Sequence, residues 1–171
     1  GEKVLITIID GDLLETDCKI IAHQVNCIGL MEHGVAKQIR DKFPGSYAIY
    51  KSVCQAAEEL MGPKELLGLN LGCSLGSSRK ILVHMFAQYD RGTGLRTDYD
   101  ALAACLQDLK SVAEKHQVYE VALPYKVGCG LAGGDWNLVF RLIESIFGES
   151  LVNCKLYRLE KNEKYEEDIC D

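Results

Sequence analysis

Two glycine-rich segments constrain this chain most, because each follows an apolar run and precedes a segment with helical periodicity. The first loop, residues 29–34, follows the β-branched run Lys19–Val25, and the second loop, residues 128–134, follows Glu120–Pro124. Glycine lets backbone N–H groups approach an anion, and a helix N-terminus adds partial positive charge. The two strand–loop–helix segments therefore predict an anion-binding site between the two loops of an α/β fold.

Strands and helices alternate along the rest of the chain. Apolar and β-branched runs predict strands at Val4–Ile9, Lys19–Val25, Leu66–Ser74, Lys80–Gln88, Glu120–Pro124 and Val152–Leu159. Helical periodicity predicts helices from Gly34 to Pro44, at Tyr47–Leu60, from Thr97 or Asp98 to Lys115, and after Asp135. This order indicates a three-layer α/β/α domain over residues 1–159, with a mixed, largely parallel central sheet of about six strands. The acidic segment 160–171 lacks an apolar period, and we expect it to be disordered.

Composition limits which kinds of partner this protein is expected to bind. The net charge is −6 and no block of Lys and Arg is present, which disfavours a broad nucleic-acid surface. No apolar run is long enough to cross a membrane, so we expect a protein without membrane contact. The eight cysteines include no C-x-x-C pair, which argues against zinc, and we predict no metal site. Buried thiols in a reducing cytoplasm, in a monomeric protein, are the expectation.

Four segments, taken in order, resemble the macrodomain, a module that binds ADP-ribose. They are Gly11–Leu14, His23–Cys27, Gly34–Ile39 and Gly128–Trp136. The resemblance extends from about Val4 to Leu159. It is strongest to the bacterial branch similar to terminal ADP-ribose glycohydrolases and ADP-ribose 1″-phosphate phosphatases.

The resemblance implies that ADP-ribose is the ligand or product and that no separate cofactor is needed. Asp12 matches the acidic residue that accepts a hydrogen bond from the adenine amino group, although a turn cap is nearly as good an interpretation of this residue. Asn26 would contact the distal ribose. The full predicted binding set is Asp12, Leu13, Asn26, Gly29, Glu32, His33, Gly34, Val35, Gln88, Tyr89, Gly128, Cys129, Gly130, Leu131, Ala132 and Gly133.

The catalytic residues of the glycohydrolase branch are not matched. That branch uses a lysine where this chain has Gln88 and an aspartate where it has Ala132, so we do not expect a lysine adduct. His23 and Asp135 resemble residues of the phosphatase-like branch, and a neutral imidazole beside a carboxylate can activate water. From the residues alone, His23 is equally a core histidine and Asp135 more readily a helix cap.

These residues leave two functions open. The first is a hydrolase that cuts a bond at the distal ribose, removing ADP-ribose from an ADP-ribosylated macromolecule or phosphate from ADP-ribose 1″-phosphate. The second is a non-catalytic reader of terminal ADP-ribose. Similar sequences usually carry small residues at the positions of Glu32 and His33, and a carboxylate about 6 Å from a phosphate costs roughly 2–3 kcal/mol at an effective dielectric near 20. We therefore expect weakened rather than abolished binding.

Overall fold

The computed structural model describes residues 6–159, and it contains a six-stranded sheet between two layers of helices. The strands are β1 (Ile6–Asp10), β2 (Ile20–Val25), β3 (Asn70–Ser74), β4 (Ile81–Phe86), β5 (Glu120–Pro124) and β6 (Asn153–Arg158). The helices are α1 (Gly34–Lys42), α2 (Pro44–Leu60), α3 (Tyr99–Lys115) and α4 (Trp136–Phe147). The predicted disordered segment 160–171 lies outside the described residues.

The sheet has the order β1–β6–β5–β2–β4–β3. All neighbouring strands are parallel except β3 and β4, which are antiparallel. The register of β2 and β4 places His23 directly beside His84. This arrangement confirms the mixed, largely parallel sheet predicted from the sequence, and it aligns the carboxyl ends of five strands along one edge.

Alternate residues of the central strand β2 face the two helical layers. Ile20 and Ala22 belong to the core formed with α3 and α4, whereas Ile21 and Val25 belong to the cores formed with α1 and α2. Every residue of β2 is buried, as is typical of a strand covered on both faces. The same alternation decides on which side of the sheet each polar residue of β2 lies.

Three boundaries or faces differ from the sequence prediction. The third strand begins at Asn70 rather than Leu66, because a 3-10 turn occupies Pro63–Leu66. Helix α2 begins at Pro44 rather than Tyr47, since the fixed φ of proline suits the first helical position. Helical spacing from Leu102, Leu106 and Leu109 predicts Val112 on the apolar face of α3, but Val112 is 42% exposed.

The described part of the chain contains seven cysteines and no disulfide among them. Six are buried, as predicted, and Cys129 is partly exposed. Burial raises the pKa of Cys27 and Cys105 to about 12 and that of Cys54 to about 11. Within residues 6–159, none of the helices combines the length and the apolar character needed to cross a bilayer.

Candidate functional site

A cavity of about 390 Å³ lies at the carboxyl ends of β2 and β4, between the first and second loops. Its lining residues are Gln24, Val25, Asn26, Leu30, Glu32, His33, Ala36, Gln88, Arg91, Gly92, Thr93, Leu131 and Ala132. Parallel sheets bind ligands beyond the carboxyl ends of their strands, so the position agrees with the predicted site. Six residues of the predicted binding set line it: Asn26, Glu32, His33, Gln88, Leu131 and Ala132.

The side chain of Asn26 organises the segment that leads into the first loop. Its Oδ1 accepts hydrogen bonds from the backbone N–H groups of Ile28 (3.1 Å) and Leu30 (3.2 Å). Its Nδ2 donates to the Leu30 carbonyl at 2.8 Å. The Tyr50 hydroxyl on α2 lies 2.7 Å from Oδ1 and 2.8 Å from the Asn26 carbonyl oxygen. One amide side chain thus connects the segment leading into the first loop to α2, and within residues 6–159 its second N–H makes no hydrogen bond.

The N-terminus of α1 opens onto this cavity. His33 is the N-cap residue, and among the described residues its side chain makes no capping hydrogen bond to the helix. Ala36, in the first turn, lines the cavity. The first N–H groups of a helix lack intrahelical acceptors and carry partial positive charge. This end of α1 is thus chemically suited to an anion, and the anion site itself stays a prediction.

The second loop is held by backbone hydrogen bonds within itself. The N–H of Gly134 donates to the carbonyl of Gly128, and that of Gly133 to the carbonyl of Gly130, both at 2.9 Å. A Cβ at position 134 would lie 2.4 Å from the Gly128 oxygen. The turn is thus closed so tightly that a side chain at position 134 does not fit without a backbone shift.

The second loop also packs against the segment before α3. The N–H groups of Arg96 and Thr97 donate to the Ala132 carbonyl at 2.7 and 3.0 Å. Gly133 has a φ of +74°, and a Cβ there would lie 2.4 Å from the carbonyl oxygen of Gly94. The two segments form one closely packed wall of the cavity.

A buried set of polar side chains connects β2, β4 and the second loop. Nε2 of Gln24 donates to Oε1 of Gln88 (2.9 Å) and to the hydroxyl of Thr97 (2.8 Å). The Thr97 hydroxyl donates to the Gly128 carbonyl at 2.6 Å, and Nε2 of Gln88 donates to the Asp90 carbonyl at 2.9 Å. Gln88 therefore supplies a fixed neutral amide at the position where the glycohydrolase branch is expected to carry a lysine.

His23 lies in the core on the α1 and α2 side of the sheet. It is buried, and its Nε2 is 2.6 Å from Nδ1 of His84, whose Nε2 is 2.7 Å from the hydroxyl of Ser46. Burial lowers the pKa of His84 to about 4 and holds the pKa of His23 well below its ordinary value, so both rings are neutral at pH 7. His23 is not among the residues that line the cavity, and this position favours the core interpretation over direct action on a ligand.

Asp135 caps α4. Its Oδ1 accepts a hydrogen bond from the N–H of Asn137 at 2.9 Å, and its own N–H donates to the hydroxyl of Tyr99 at 2.9 Å. The side chain does not line the cavity formed by the described residues. It follows the second loop, whereas His23 faces the opposite helical layer. The structure therefore does not bring the predicted acid–base pair together.

Asp12 borders a second, much smaller cavity of about 20 Å³ on the same edge of the sheet. Its lining includes Leu13 and Val35 of the predicted binding set, together with Gly11, Leu14, Gln38, Pro124, Tyr157 and Leu159. Oδ1 of Asp12 accepts a hydrogen bond from the N–H of Leu14 at 2.9 Å. Asp12 is thus a turn cap, and its second carboxylate oxygen is not needed for that bond.

The remaining predicted residues shape the loops without lining either cavity: Gly29, Gly34, Tyr89, Gly128, Cys129, Gly130 and Gly133. Tyr89 contributes its carbonyl oxygen, which accepts a hydrogen bond from the Cys27 N–H at 2.8 Å. Within residues 6–159, no group of three or more His, Cys, Asp or Glu side chains is placed to hold a metal ion.

Sequence reasoning missed Gln24 and Arg91 as site residues. Gln24 lies in a uniformly buried strand, and its role depends on partners 64 and 73 residues away. Arg91 forms an ion pair with Glu32 on the first loop, and both residues line the cavity. Segment 89–96 is polar and contains two glycines, as is typical of a loop, but its local sequence does not indicate which side chain faces the cavity. The ion pair also offsets the negative charge that Glu32 brings to the first loop.

Comparison with known proteins gives one family model, described as Macro domain, which matches residues 22–143. A DNA ADP-ribosyl glycohydrolase of Mycobacterium tuberculosis is 29% identical over 143 residues, which cover 84% of this chain and 39% of that protein. An ADP-ribose 1″-phosphate phosphatase of Aspergillus fumigatus is 45% identical over 51 residues, covering 29% of this chain and 26% of that protein. The chain thus spans about two fifths of the length of the glycohydrolase relative.

Solved structures show the same fold. The macrodomain of Mycobacterium tuberculosis DarG has a TM-score of 0.76 and 25% identity, over 91% of this chain and 98% of that one. The structure of Thermosipho africanus DarTG in complex with ADP-ribose also has a TM-score of 0.76, with 19% identity, over 94% of this chain and 43% of that one.

Proposed function

The chain belongs to the Macro domain family, and from this premise we propose that its cavity binds ADP-ribose. The observation that carries the proposal is the pairing of a cavity of about 390 Å³ with two glycine loops and the α1 N-terminus, which His33 leaves without a side-chain cap among the described residues. Sites for small molecules commonly have volumes of about 300–1,000 Å³. A diphosphate between the loops would accept hydrogen bonds from the backbone N–H groups that face it.

The rest of the ligand follows the carboxyl edge of the sheet. Adenine is proposed to lie near the small cavity, where the second carboxylate oxygen of Asp12 accepts a hydrogen bond from its amino group and Leu13 and Val35 flank the ring. The distal ribose is proposed to lie over β2 and β4, within reach of the remaining amide N–H of Asn26. The backbone of Gly29, Gly34 and residues 128–133 would surround the diphosphate.

We propose that the reaction is hydrolysis at the distal ribose. Of the titratable residues lining the cavity, Glu32 is paired with Arg91, and His33 is the imidazole that remains to exchange a proton with water or a leaving group. His33 thus replaces His23 as the preferred acid–base residue, because His23 is buried against His84. Gln88 and Ala132, which lack nucleophilic groups, leave water as the attacking molecule.

The hydrolase proposal does not extend to the identity of the adduct. DNA ADP-ribosyl glycohydrolase and ADP-ribose 1″-phosphate phosphatase are the names of relatives, and this chain covers under half of their length. A DNA adduct, a protein adduct and the 1″-phosphate are therefore three substrates to test. The net charge of −6 favours recognition of a terminal ADP-ribose group over a long nucleic-acid contact. We also propose a cytoplasmic location, supported by the six buried cysteines, which form no disulfide among the described residues. That the protein is a monomer stays a prediction.

A thermal shift with ADP-ribose, ADP and NAD tests the binding proposal. At a free ligand concentration one hundred times the dissociation constant, stabilisation is about 2.7 kcal/mol. We expect the largest shift with ADP-ribose. A clear shift with NAD and none with ADP-ribose would contradict the proposal.

Turnover is tested with ADP-ribosylated DNA, ADP-ribosylated peptide and ADP-ribose 1″-phosphate. We expect release of ADP-ribose or phosphate from one of them, and we expect His33→Ala to lose most of this activity while it still binds ADP-ribose. Asp135→Asn is the matched comparison, because it alters a carboxylate outside the cavity lining. Binding without turnover of any of the three substrates would favour the non-catalytic reader.

A further inference from the structure

The ion pair between Glu32 and Arg91 connects two walls of the large cavity. Glu32 belongs to the first loop, and Arg91 belongs to the segment that follows β4. Their side chains are 40% and 50% exposed, so water screens the attraction. Exposed ion pairs are weak because water competes for both charges, so this pair is easily exchanged for a stronger partner.

The backbone that carries Arg91 is fixed by the second arginine of the same segment. Arg96 donates from Nη1 to Oδ1 of Asp90 and from Nε to the carbonyl of Thr93, both at 3.2 Å. Its guanidinium packs on Gly92, where a Cβ would lie 3.0 Å from Nη2. The guanidinium of Arg96 therefore interacts within the segment, whereas Arg91 lines the cavity.

Among the residues that line this cavity, Glu32 is the carboxylate and Arg91 the guanidinium. A diphosphate entering it brings two negative charges close to Glu32, which repels them. Guanidinium groups form two parallel hydrogen bonds with phosphate and carboxylate alike. The half-exposed Glu32 is readily hydrated once it is released, so an exchange of partners leaves no buried charge.

We propose that Arg91 is the phosphate-binding side chain of the cavity, and that Glu32 occupies it until a phosphate group of the ligand takes its place. This inference rests on the proposed function for the identity of the ligand. It makes Glu32 an internal competitor of the ligand. It assigns the same chemistry, phosphate binding, whether the group is the diphosphate or a phosphate on the distal ribose.

The test is a calorimetric titration of the wild type and three variants with ADP-ribose at low ionic strength. We expect Arg91→Gln to weaken binding about tenfold, because charge-assisted hydrogen bonds are lost. Glu32→Gln should strengthen binding about threefold, and this gain should shrink in the Arg91→Gln background, where there is no guanidinium to compete for. Arg79→Gln is the matched control, since this exposed arginine follows the turn at the opposite edge of the sheet, and it should bind like the wild type.

Two further titrations show which phosphate group Arg91 binds, and they distinguish a failure of this inference from a failure of the proposed function. With ADP-ribose 1″-phosphate, titrated in the His33→Ala background so that it is not hydrolysed, a loss of affinity on Arg91→Gln equal to that for ADP-ribose indicates the diphosphate. A larger loss indicates the distal phosphate. With pyrophosphate as the probe, binding that depends on Arg91 in a protein that does not bind ADP-ribose overturns only the proposed function.

The inference itself is overturned if folded Arg91→Gln binds ADP-ribose as tightly as the wild type does. It is also overturned if Glu32→Gln weakens binding, since a competitor cannot contribute to affinity. If the wild type binds neither ADP-ribose nor pyrophosphate, the inference and the proposed function both fail.

Discussion

The first and second loops are held in place by different means. Side chains from outside the first loop fix it: Asn26 bonds the segment leading into it, Tyr50 anchors Asn26, and Arg91 pairs with Glu32. The second loop is fixed by its own backbone and by contact with the backbone at Gly94. The difference indicates where sequence change is tolerated. An added Cβ at Gly133 or Gly134 would meet backbone oxygen 2.4 Å away, whereas the first loop already carries the exposed side chains of Glu32 and His33.

The largest expected effect is on the second loop. Gly133→Ala places a Cβ 2.4 Å from the Gly94 carbonyl oxygen at a φ of +74°, so we expect a loss of about 3 kcal/mol in the free energy of unfolding. Chemical denaturation measures it. Gly76→Ala is the matched control, because its φ is +64° and no described atom lies within 4 Å of the added Cβ. Equal losses in the two variants would show that the backbone contact contributes nothing.

Lowering the pH should destabilise the core beneath the first loop. The Tyr50 ring lies 5.6 Å from that of His84, and burial lowers the pKa of His84 to about 4 from an ordinary 6.5. The unfolded chain therefore binds more protons below about pH 6.5, and stability falls as the pH drops from there towards 4. We expect a loss of about 2–3 kcal/mol by about pH 5, with the pKa of His23 shifted in the same direction.

Denaturation at several pH values and hydrogen exchange measure this effect. Amides of residues 26–34 should exchange faster at about pH 5, after correction for intrinsic rates, before those of residues 128–134 do. A stability that stays constant from about pH 7 to about pH 5 would contradict a neutral buried pair.

Asn26→Ala should cost about 2 kcal/mol, because the partly buried N–H groups of Ile28 and Leu30 lose their acceptor. It should also weaken ADP-ribose binding, since the first loop is no longer fixed to α2. Asn137→Ala, on the exposed side of α4, is the control and should change stability by less than about 0.5 kcal/mol. Unaltered stability in Asn26→Ala would mean that the first loop is held by other contacts.

The smallest effect on stability is expected for His33→Ala. The side chain is exposed and makes no capping hydrogen bond to α1 within the described residues, so the free energy of unfolding should change by less than about 0.5 kcal/mol. Thermal denaturation measures it, alongside the turnover assay. A substantial loss of stability would place His33 with the structural residues and remove the contrast between the two loops.

Local sequence patterns were sufficient for the order of the elements and for both loops. Period-two and period-3.6 patterns depend on neighbouring residues, and glycine restricts where a loop can bind an anion. The pairing of His23 with His84 depends instead on the register of two strands 61 residues apart. A histidine in an apolar strand looks the same in sequence whether it faces a helix or a ligand.

Some side chains of the cavity wall were predicted from the sequence and others were missed, because local patterns determine only some of their positions. Asn26 and Gln88 follow strands, and the edge of the sheet fixes their position. Arg91 lies three residues after Gln88, which forms an isolated bridge with Thr97, and the segment between them has no period. The ion pair between Arg96 and Asp90 holds the backbone on either side of Arg91, and no short pattern encodes that contact.

Because these cysteines are buried, the reactivity of their thiols reports on local unfolding of the chain. A thiol reacts as thiolate, and burial raises the pKa of Cys54, beneath the first loop, to about 11 and that of Cys105, on α3, to about 12. An alkylating reagent applied in brief pulses would therefore modify each of these residues only when its layer opens. The labelling rate of each site, divided by the rate of the same thiol in the unfolded chain, would give the local unfolding free energy of each helical layer without any introduced probe.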